Sequence, residues 1–412
     1  MRIWAFPAFY PYKNIRWQNH GIFAHRQYKG LIANGAELTV VLPVMWSPPR
    51  PFHLLHDQWK KLQKVSYPDM HVYDGIEVYH PRIANMKPSR LFSKTYADKY
   101  IDSIIGFFKE HKITLHPDTD IFYSQWLPDA YMVQKAARKL GVKSAVLAIG
   151  DDVNIIPHKN KAHFDIITQT WKEADYRIVV AGYLGNEANK LIQQDLPYHI
   201  VRRGVEYDKF VPVSEERKQE LRKELKLPTD KLIILMVGSS NIAKGWRDLF
   251  DAVARLKEHN SNFVLVGVNA GVKEIELKDE AQQRGITDIY IDLGPVPPEK
   301  INQLYNACDI FCLPSHTEGI ANVVVEAMSC GIPVVTTTVG GHPELVVNGS
   351  NGILIPPKKP DILYEELLKL MNDKERRQEI GATARNFIIN EWGSFKQNAG
   401  KLYNILASAV KK

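Results

Sequence analysis

Strand-like apolar runs alternate with helical patterns through both halves of the chain, which points to parallel sheets covered by helices. In the first half the runs are 2–6, 36–43, 76–81, 120–124, 143–149 and 176–181. In the second they are 231–237, 262–268, 288–293, 309–313 and 332–337. Helical spacing over 129–140, 246–258, 272–284, 299–307 and 362–371 fills the gaps. At 412 residues the chain is long for a single core, so two similar α/β domains in series are expected.

No window approaches a membrane-spanning apolar stretch, and the opening MRIWAFPAFYPY reads as a strand running into a loop, not a signal peptide. Cys308, Cys312 and Cys330 form an odd set without metal-type pairing, consistent with buried thiols in a reducing cytoplasm. Charge is uneven. Residues 1–205 hold 27 Lys and Arg against 18 Asp and Glu, whereas the remainder holds 26 against 28. The basic part should face something acidic. Arg82, Lys87, Arg90, Lys94, Lys99, Lys109 and Lys112 interleave with Leu91, Phe92, Tyr96, Tyr100, Phe107 and Phe108. That mixture suggests an anionic membrane surface or a lipid-linked acceptor, with an ordinary solvated helix face as the plainer alternative. Nucleic acid is not expected, because no binding module accompanies the charge.

The chemistry concentrates in residues 314–347. Glu318 and Glu326 flank seven residues, and Glu326 sits in the apolar run Val323 to Met328. A half-buried carboxylate is costly unless donors meet it, and sugar hydroxyls are such donors. Apolar residues at 320, 323, 324, 327 and 328 mark a helix starting just after Glu318. Its free N–H groups at Ile320, Ala321 and Asn322 would then form an anion site. Amides flanked by two hydroxyl-accepting carboxylates suit a sugar nucleotide diphosphate. A surface Glu318 and a Lys-paired Glu326 are the plainer reading.

The letters of this segment resemble the E-G-x-x-x-x-x-x-E signature of retaining GT-B glycosyltransferases of family four, the glycosyl transferases group 1. The likeness continues through A-M-S-C-G-I-P-V-V, V-G-G-H-P-E-L-V and Asn348 to Pro357. It implies an α/β GT-B fold, two Rossmann-like parallel-sheet domains facing across a cleft. Residues 1–202 would be the acceptor-binding domain and 203–392 the nucleotide-sugar domain, with 393–412 a helix packing back on the first. Arg203-Gly204-Val205-Glu206 resembles the family's N-G-V-D hinge, with Arg203 in place of Asn.

Leu232 to Gly245 resembles the family's V-G-R-x-x-x-x-K-G segment, which implies that Lys244 contacts the donor diphosphate, with Ser239 and Ser240 in the loop. Ser239 stands where the family has Arg. The same loop is a degenerate dinucleotide fingerprint, but the next strand ends at Val268-Asn269 without the acid a nicotinamide site wants. By resemblance Glu318 would hold the sugar hydroxyls, with Gly319, Ile320, Ala321 and Asn322 beside it. Glu326 would hold the ribose hydroxyls, and backbone near Gly294 to Val296 would meet the base. Gly150-Asp151-Asp152-Val153 resembles H-G-S-D-V, with Ile149 replacing His; Asp152 fits a catalytic role or an N-cap equally. Glu318, Lys244 and Asp152 are thus the expected catalytic residues.

Gly21 takes the place of the family's Gly-rich N-terminal loop, and His20, His25, Gln125 and Trp126 are acceptor candidates. Asp118-Thr119-Asp120 spells D-x-D, the metal motif of another glycosyltransferase fold, yet here it reads as a turn starting a strand. No metal and no resident cofactor are expected, since Lys244 and helix amides would neutralise the phosphates. The implied activity is retaining transfer of a sugar, from a nucleotide diphosphate donor (UDP-sugar preferred), to a hydroxyl of a glycan or lipid-linked acceptor. It would take place in the cytoplasm, with the enzyme on the inner membrane face as an option. Within the family the opening segment looks most like bacterial teichuronic-acid or exopolysaccharide enzymes. The competing reading is a non-catalytic sugar-nucleotide or membrane-binding module of the same fold.

Overall fold

A computed structural model describes residues 1–12, 21–46, 67–83, 94–269 and 273–410. The chain divides into two compact units, Met1–Arg203 with Phe395–Lys412, and Gly204–Ser394.

The first unit is built on an eight-stranded sheet. Its strands lie in the order His199–Ile200, Tyr176–Val179, Lys143–Ala148, Asp120–Gln125, Arg2–Phe6, Glu37–Val41, Ile76–Tyr79, Met70–Tyr73. Asp120–Gln125 is buried at every position, as expected of a parallel strand with both faces covered. All neighbours run parallel except the last pair. Met70–Tyr73 and Ile76–Tyr79 form an antiparallel hairpin around Asp74-Gly75, whose φ values of 47° and 79° are both positive. Asp-Gly favours that two-residue turn. The strand Met70–Tyr73 was not anticipated, and the edge of a parallel sheet is where such a hairpin can attach. The helix Phe395–Val410 packs on Ile22–Ala33, with Leu402, Leu406 and Ala409 entering this unit's core.

Tyr96, Tyr100, Phe107 and Phe108 are buried in that unit, around Trp4 and Phe122. Aromatics expected to meet a membrane are therefore core residues of the helix Lys94–Glu110. Lys87, Arg90, Leu91 and Phe92 lie outside the described residues, as does the side chain of Lys94. Among the described residues no helix is long and apolar enough to cross a membrane.

In the second unit six parallel strands lie in the order Tyr290–Asp292, Phe263–Val268, Leu232–Val237, Ile310–Leu313, Val334–Thr337, Ile353–Ile355. The sequence order reverses between Leu232–Val237 and Ile310–Leu313. Open parallel sheets bind ligands outside the carboxyl ends of strands at such a switch point. Residues 238–245 and 314–319 leave the sheet there. Several boundaries differ from expectation: the helix anticipated over 272–284 spans Leu277–Gln283, and the strands anticipated over 176–181, 36–43 and 332–337 span Tyr176–Val179, Glu37–Val41 and Val334–Thr337. The three cysteines are buried free thiols, and burial pushes Cys308 up to about 12.

Candidate functional site

At the switch point of the second unit the two loops are fastened to each other. The strand Leu232–Val237 runs into the turn Ile242–Lys244, capped by Asn241, whose side chain accepts from Ala243 N at 2.6 Å. Gly245 follows in the left-handed region, φ 77°, and a Cβ there would collide with the Pro314 carbonyl. His316 N donates to Ala243 O at 2.7 Å, and the His316 ring meets Asp248 at 2.8 Å. These ties set the lysine and the second loop side by side.

Lys244 Nζ donates to Glu318 Oε1 at 2.6 Å, and Ser315 Oγ donates to the same oxygen at 2.9 Å. The Glu318 side chain is only 10% exposed, so the pair sits in a desolvated recess rather than on an open face. The alternative of a surface Glu318 is removed. Ser239 O accepts from the Trp246 indole at 2.9 Å, and Ser240 is buried with its carbonyl accepting from Glu274 and Ile275 amides.

The helix after Glu318 begins later than its apolar stripe suggests. It spans Asn322–Ser329, with Ala321 as its N-cap. Gly319 O accepts from Gly341 N at 2.7 Å, which holds 319–321 in an irregular loop. Val324 N already bonds Ala321 O at 3.0 Å. The first-turn amides without a carbonyl four residues back are thus those of Asn322 and Val323, and Ile320 and Ala321 lie outside the helix. Of the amides expected at 320–322, only that of Asn322 lies in the first turn, joined by that of Val323.

Glu326 accepts from Tyr305 Oη at 2.9 Å. Tyr305 is fully buried, so this hydroxyl is held out of water and aimed at the carboxylate. A lysine partner was the plain expectation, and a buried phenol is among the groups that meet this carboxylate. Val296 is half-buried beyond the strand Tyr290–Asp292, next to Gly294, whose N donates to Asp292 and whose O accepts from Asn269.

In the first unit the candidates are absorbed by the interior. Asp152 is fully buried and accepts from the amides of Ile149, Gly150 and Leu127. Burial is the largest influence on it and lifts its carboxyl to about 6. From inside the short helix Asp151–Asn154 it thus ties the backbone leading into that helix to the first residue of Leu127–Lys139. His25 is buried between Tyr10 Oη at 2.8 Å and Asp74 Oδ2 at 3.0 Å, and burial lowers its pKa. Both ring nitrogens are engaged, so it is a structural histidine. Gln125 donates to Gln27 at 2.8 Å, and Trp126 caps the next helix. Gly21 caps the helix Ile22–Ala33, and His20 lies outside the described residues. Asp120 accepts from Arg2, the Trp4 indole and His116 N, each at 2.8 Å, so the second carboxylate of D-x-D is an interior anchor, while Asp118 is exposed.

Residues 217–387 match the family described as glycosyl transferases group 1. The putative teichuronic acid biosynthesis glycosyltransferase TuaC of Bacillus subtilis is 27% identical over 366 residues, covering 87% of each chain. The D-inositol 3-phosphate glycosyltransferase of Corynebacterium jeikeium is 33% identical over 218 residues, 51% of this chain and 52% of its own length. The chain therefore spans about half of that second relative. Sucrose-phosphate synthase of Thermosynechococcus elongatus superposes with TM-score 0.74 at 18% identity, covering 99% of each chain. HepE of Anabaena, solved with UDP, does so with TM-score 0.75 at 17% identity, over 99% of this chain and 100% of its own. At those identities the superpositions speak for the fold.

Two parallel-sheet units with a carboxylate–lysine recess at a switch point define a GT-B glycosyltransferase. Residues 217–387, most of the second unit, carry the match to the glycosyl transferases group 1 family, and together with the similarity to TuaC this supports a glycosyltransferase.

Proposed function

We propose that this glycosyltransferase moves a sugar with retention from a UDP-sugar to a hydroxyl of a glycan or lipid-linked acceptor, without a metal. The observation that carries the reading is the 2.6 Å pairing of Lys244 with Glu318 at the switch point. An ammonium there can exchange its carboxylate for a diphosphate, and the carboxylate then accepts sugar hydroxyls. HepE, solved with UDP and with UDP-glucose, supports uridine as the base. TuaC, named for teichuronic acid biosynthesis, supports a glycan acceptor. The basic excess of residues 1–205 favours approach to an anionic surface, without the aromatic insertion that the sequence suggested.

The bond from sugar C1 to the diphosphate oxygen breaks, and the acceptor oxygen bonds C1 on the same face. The acceptor proton passes to the departing diphosphate oxygen. Lys244 and the amides of Asn322 and Val323 stabilise the charge growing on that leaving group. Glu326 takes the ribose hydroxyls, and backbone near Gly294 to Val296 meets the base.

UDP release from UDP-glucose with glycan and lipid-linked acceptors, measured in excess EDTA, tests this reading. Release should persist at the untreated rate. Loss with EDTA and recovery with magnesium or manganese removes metal independence. No release with any UDP-, GDP- or ADP-sugar leaves the non-catalytic binding module.

Tyr305 bears on the ribose. With Tyr305→Phe, Glu326 loses the donor that orients it, while the exchange of phenol for phenyl keeps the packing. KM for the donor should rise roughly threefold to tenfold with kcat changed little, as expected when binding shared by ground and transition states is lost. An unchanged KM would separate Glu326 from nucleotide binding.

A further inference from the structure

His342 lies beside this site and has no role in the reading above. The loop that carries it presses against the Glu318 loop. Gly340, φ 57°, has no room for a Cβ against the Glu318 carbonyl, and Gly341 N bonds Gly319 O. The His342 ring that follows is completely buried. Its Nδ1 lies 3.0 Å from Thr336 Oγ1 and 3.2 Å from Thr337 O. Thr336 Oγ1 gives its own proton to Leu313 O at 2.9 Å, so towards the ring it accepts. A carbonyl accepts as well. Nδ1 therefore carries the hydrogen, and Nε2 presents a lone pair.

Nε2 is buried and has no hydrogen-bond partner among the described residues. A buried acceptor left unmet costs about as much as a lost hydrogen bond, and such an atom calls for an explanation. An aliphatic side chain would fill the space without that cost. The ring also feels Glu318 and Lys244 directly, although burial is the largest influence and keeps it neutral. A neutral lone pair needs a partner with a proton to give. Phosphate oxygens lack one, and a sugar hydroxyl has one.

We propose that His342 Nε2 accepts a hydrogen bond from one hydroxyl of the transferred sugar, making it a specificity residue beside Glu318. This rests on the donor-site reading. The diphosphate draws Lys244 away from Glu318, and the hydroxyl enters the space so opened. In this assignment UDP itself makes no contact with Nε2, so bare nucleotide binding is independent of it. A deoxy sugar lacking that hydroxyl leaves Nε2 unmet.

Two substitutions separate the ring's ends. His342→Asn keeps a donor at the δ position for Thr337 O and removes the ε acceptor, whereas His342→Gln keeps an acceptor near the ε position. Titrations with UDP, UDP-glucose and the 2-, 3-, 4- and 6-deoxy analogues of UDP-glucose read the effect. Wild type should bind the analogue lacking the Nε2-bound hydroxyl about tenfold more weakly than UDP-glucose, beside any penalties from hydroxyls held by Glu318. In His342→Asn that difference should vanish, with UDP-glucose itself about tenfold weaker and UDP within about twofold of wild type. His342→Gln should retain part of the discrimination. Persistence in His342→Asn of every deoxy penalty seen in wild type overturns the assignment, as does an equal fall in UDP and UDP-glucose binding, which marks a purely structural ring. The wild-type series reads the same hydroxyl even where a variant folds poorly, and a flat series overturns the proposal by itself. Should wild type bind neither UDP nor UDP-glucose, the donor-site reading fails first and this assignment falls with it.

Discussion

Glu318→Gln should lower turnover at least about tenfold while the protein stays folded. The carboxylate meets Lys244 and Ser315 through one oxygen, and amide replacement keeps shape and one acceptor but removes the charge. Losing a charged acceptor for a sugar hydroxyl costs about 1–3 kcal/mol, which is roughly tenfold to a hundredfold in rate. Stability should change little, because Lys244 is 28% exposed in its side chain and water can solvate it when the partner's charge is gone. Glu318→Ala should lose more activity, since it removes the acceptor altogether. Initial rates beside a thermal melt of each variant make the comparison. Wild-type transfer by a folded Glu318→Gln protein would detach Glu318 from the sugar.

The same residue shows what the sequence carried and where it stopped. The strand–helix alternation revealed parallel sheets because buried parallel strands such as Leu232–Val237 are apolar throughout and unmistakable. It missed Met70–Tyr73, which is half exposed and held by a turn rather than by apolar pattern. Spacing brought Glu318 forward, but the helix start was misplaced, since apolar periodicity cannot sense Gly341 N tying Gly319 O into a loop. Asp152 and His25 read as candidates because they fall in segments that resemble the family's, and Gln125 is grouped with the acceptor candidates. Tertiary contacts gave each a structural partner. Tyr305 and His342 escaped notice for the opposite reason. Each looks like packing in sequence, and only the fold reveals that Tyr305 aims at Glu326 and that His342 leaves Nε2 unmet. The G-G-H-P-E run was visible, and a histidine after two close-packed glycines was the available signal.

Lys244→Ala should have the largest effect of any single change in the site. Removing one fixed donor from a developing negative charge typically costs about a hundredfold to a thousandfold in kcat. Here a second penalty adds to it. Glu318 would keep its negative charge without the neighbouring ammonium, its side chain only 10% exposed. Like charges in a poorly solvated recess repel strongly, so donor binding should weaken along with turnover. The two penalties separate in a double variant. Lys244→Ala with Glu318→Gln removes the lysine and the exposed charge together, so it should bind UDP more tightly than Lys244→Ala alone, although its turnover stays low. Non-additivity of that sign is the signature of a coupled pair. Lys244→Arg should recover only part of the activity, because a planar guanidinium places its donors differently from a point ammonium. UDP affinity by calorimetry across the four proteins decides it. If Lys244→Ala binds UDP as wild type does, the ammonium neutralises Glu318 alone, and the leaving group must be met by the amides of Asn322 and Val323.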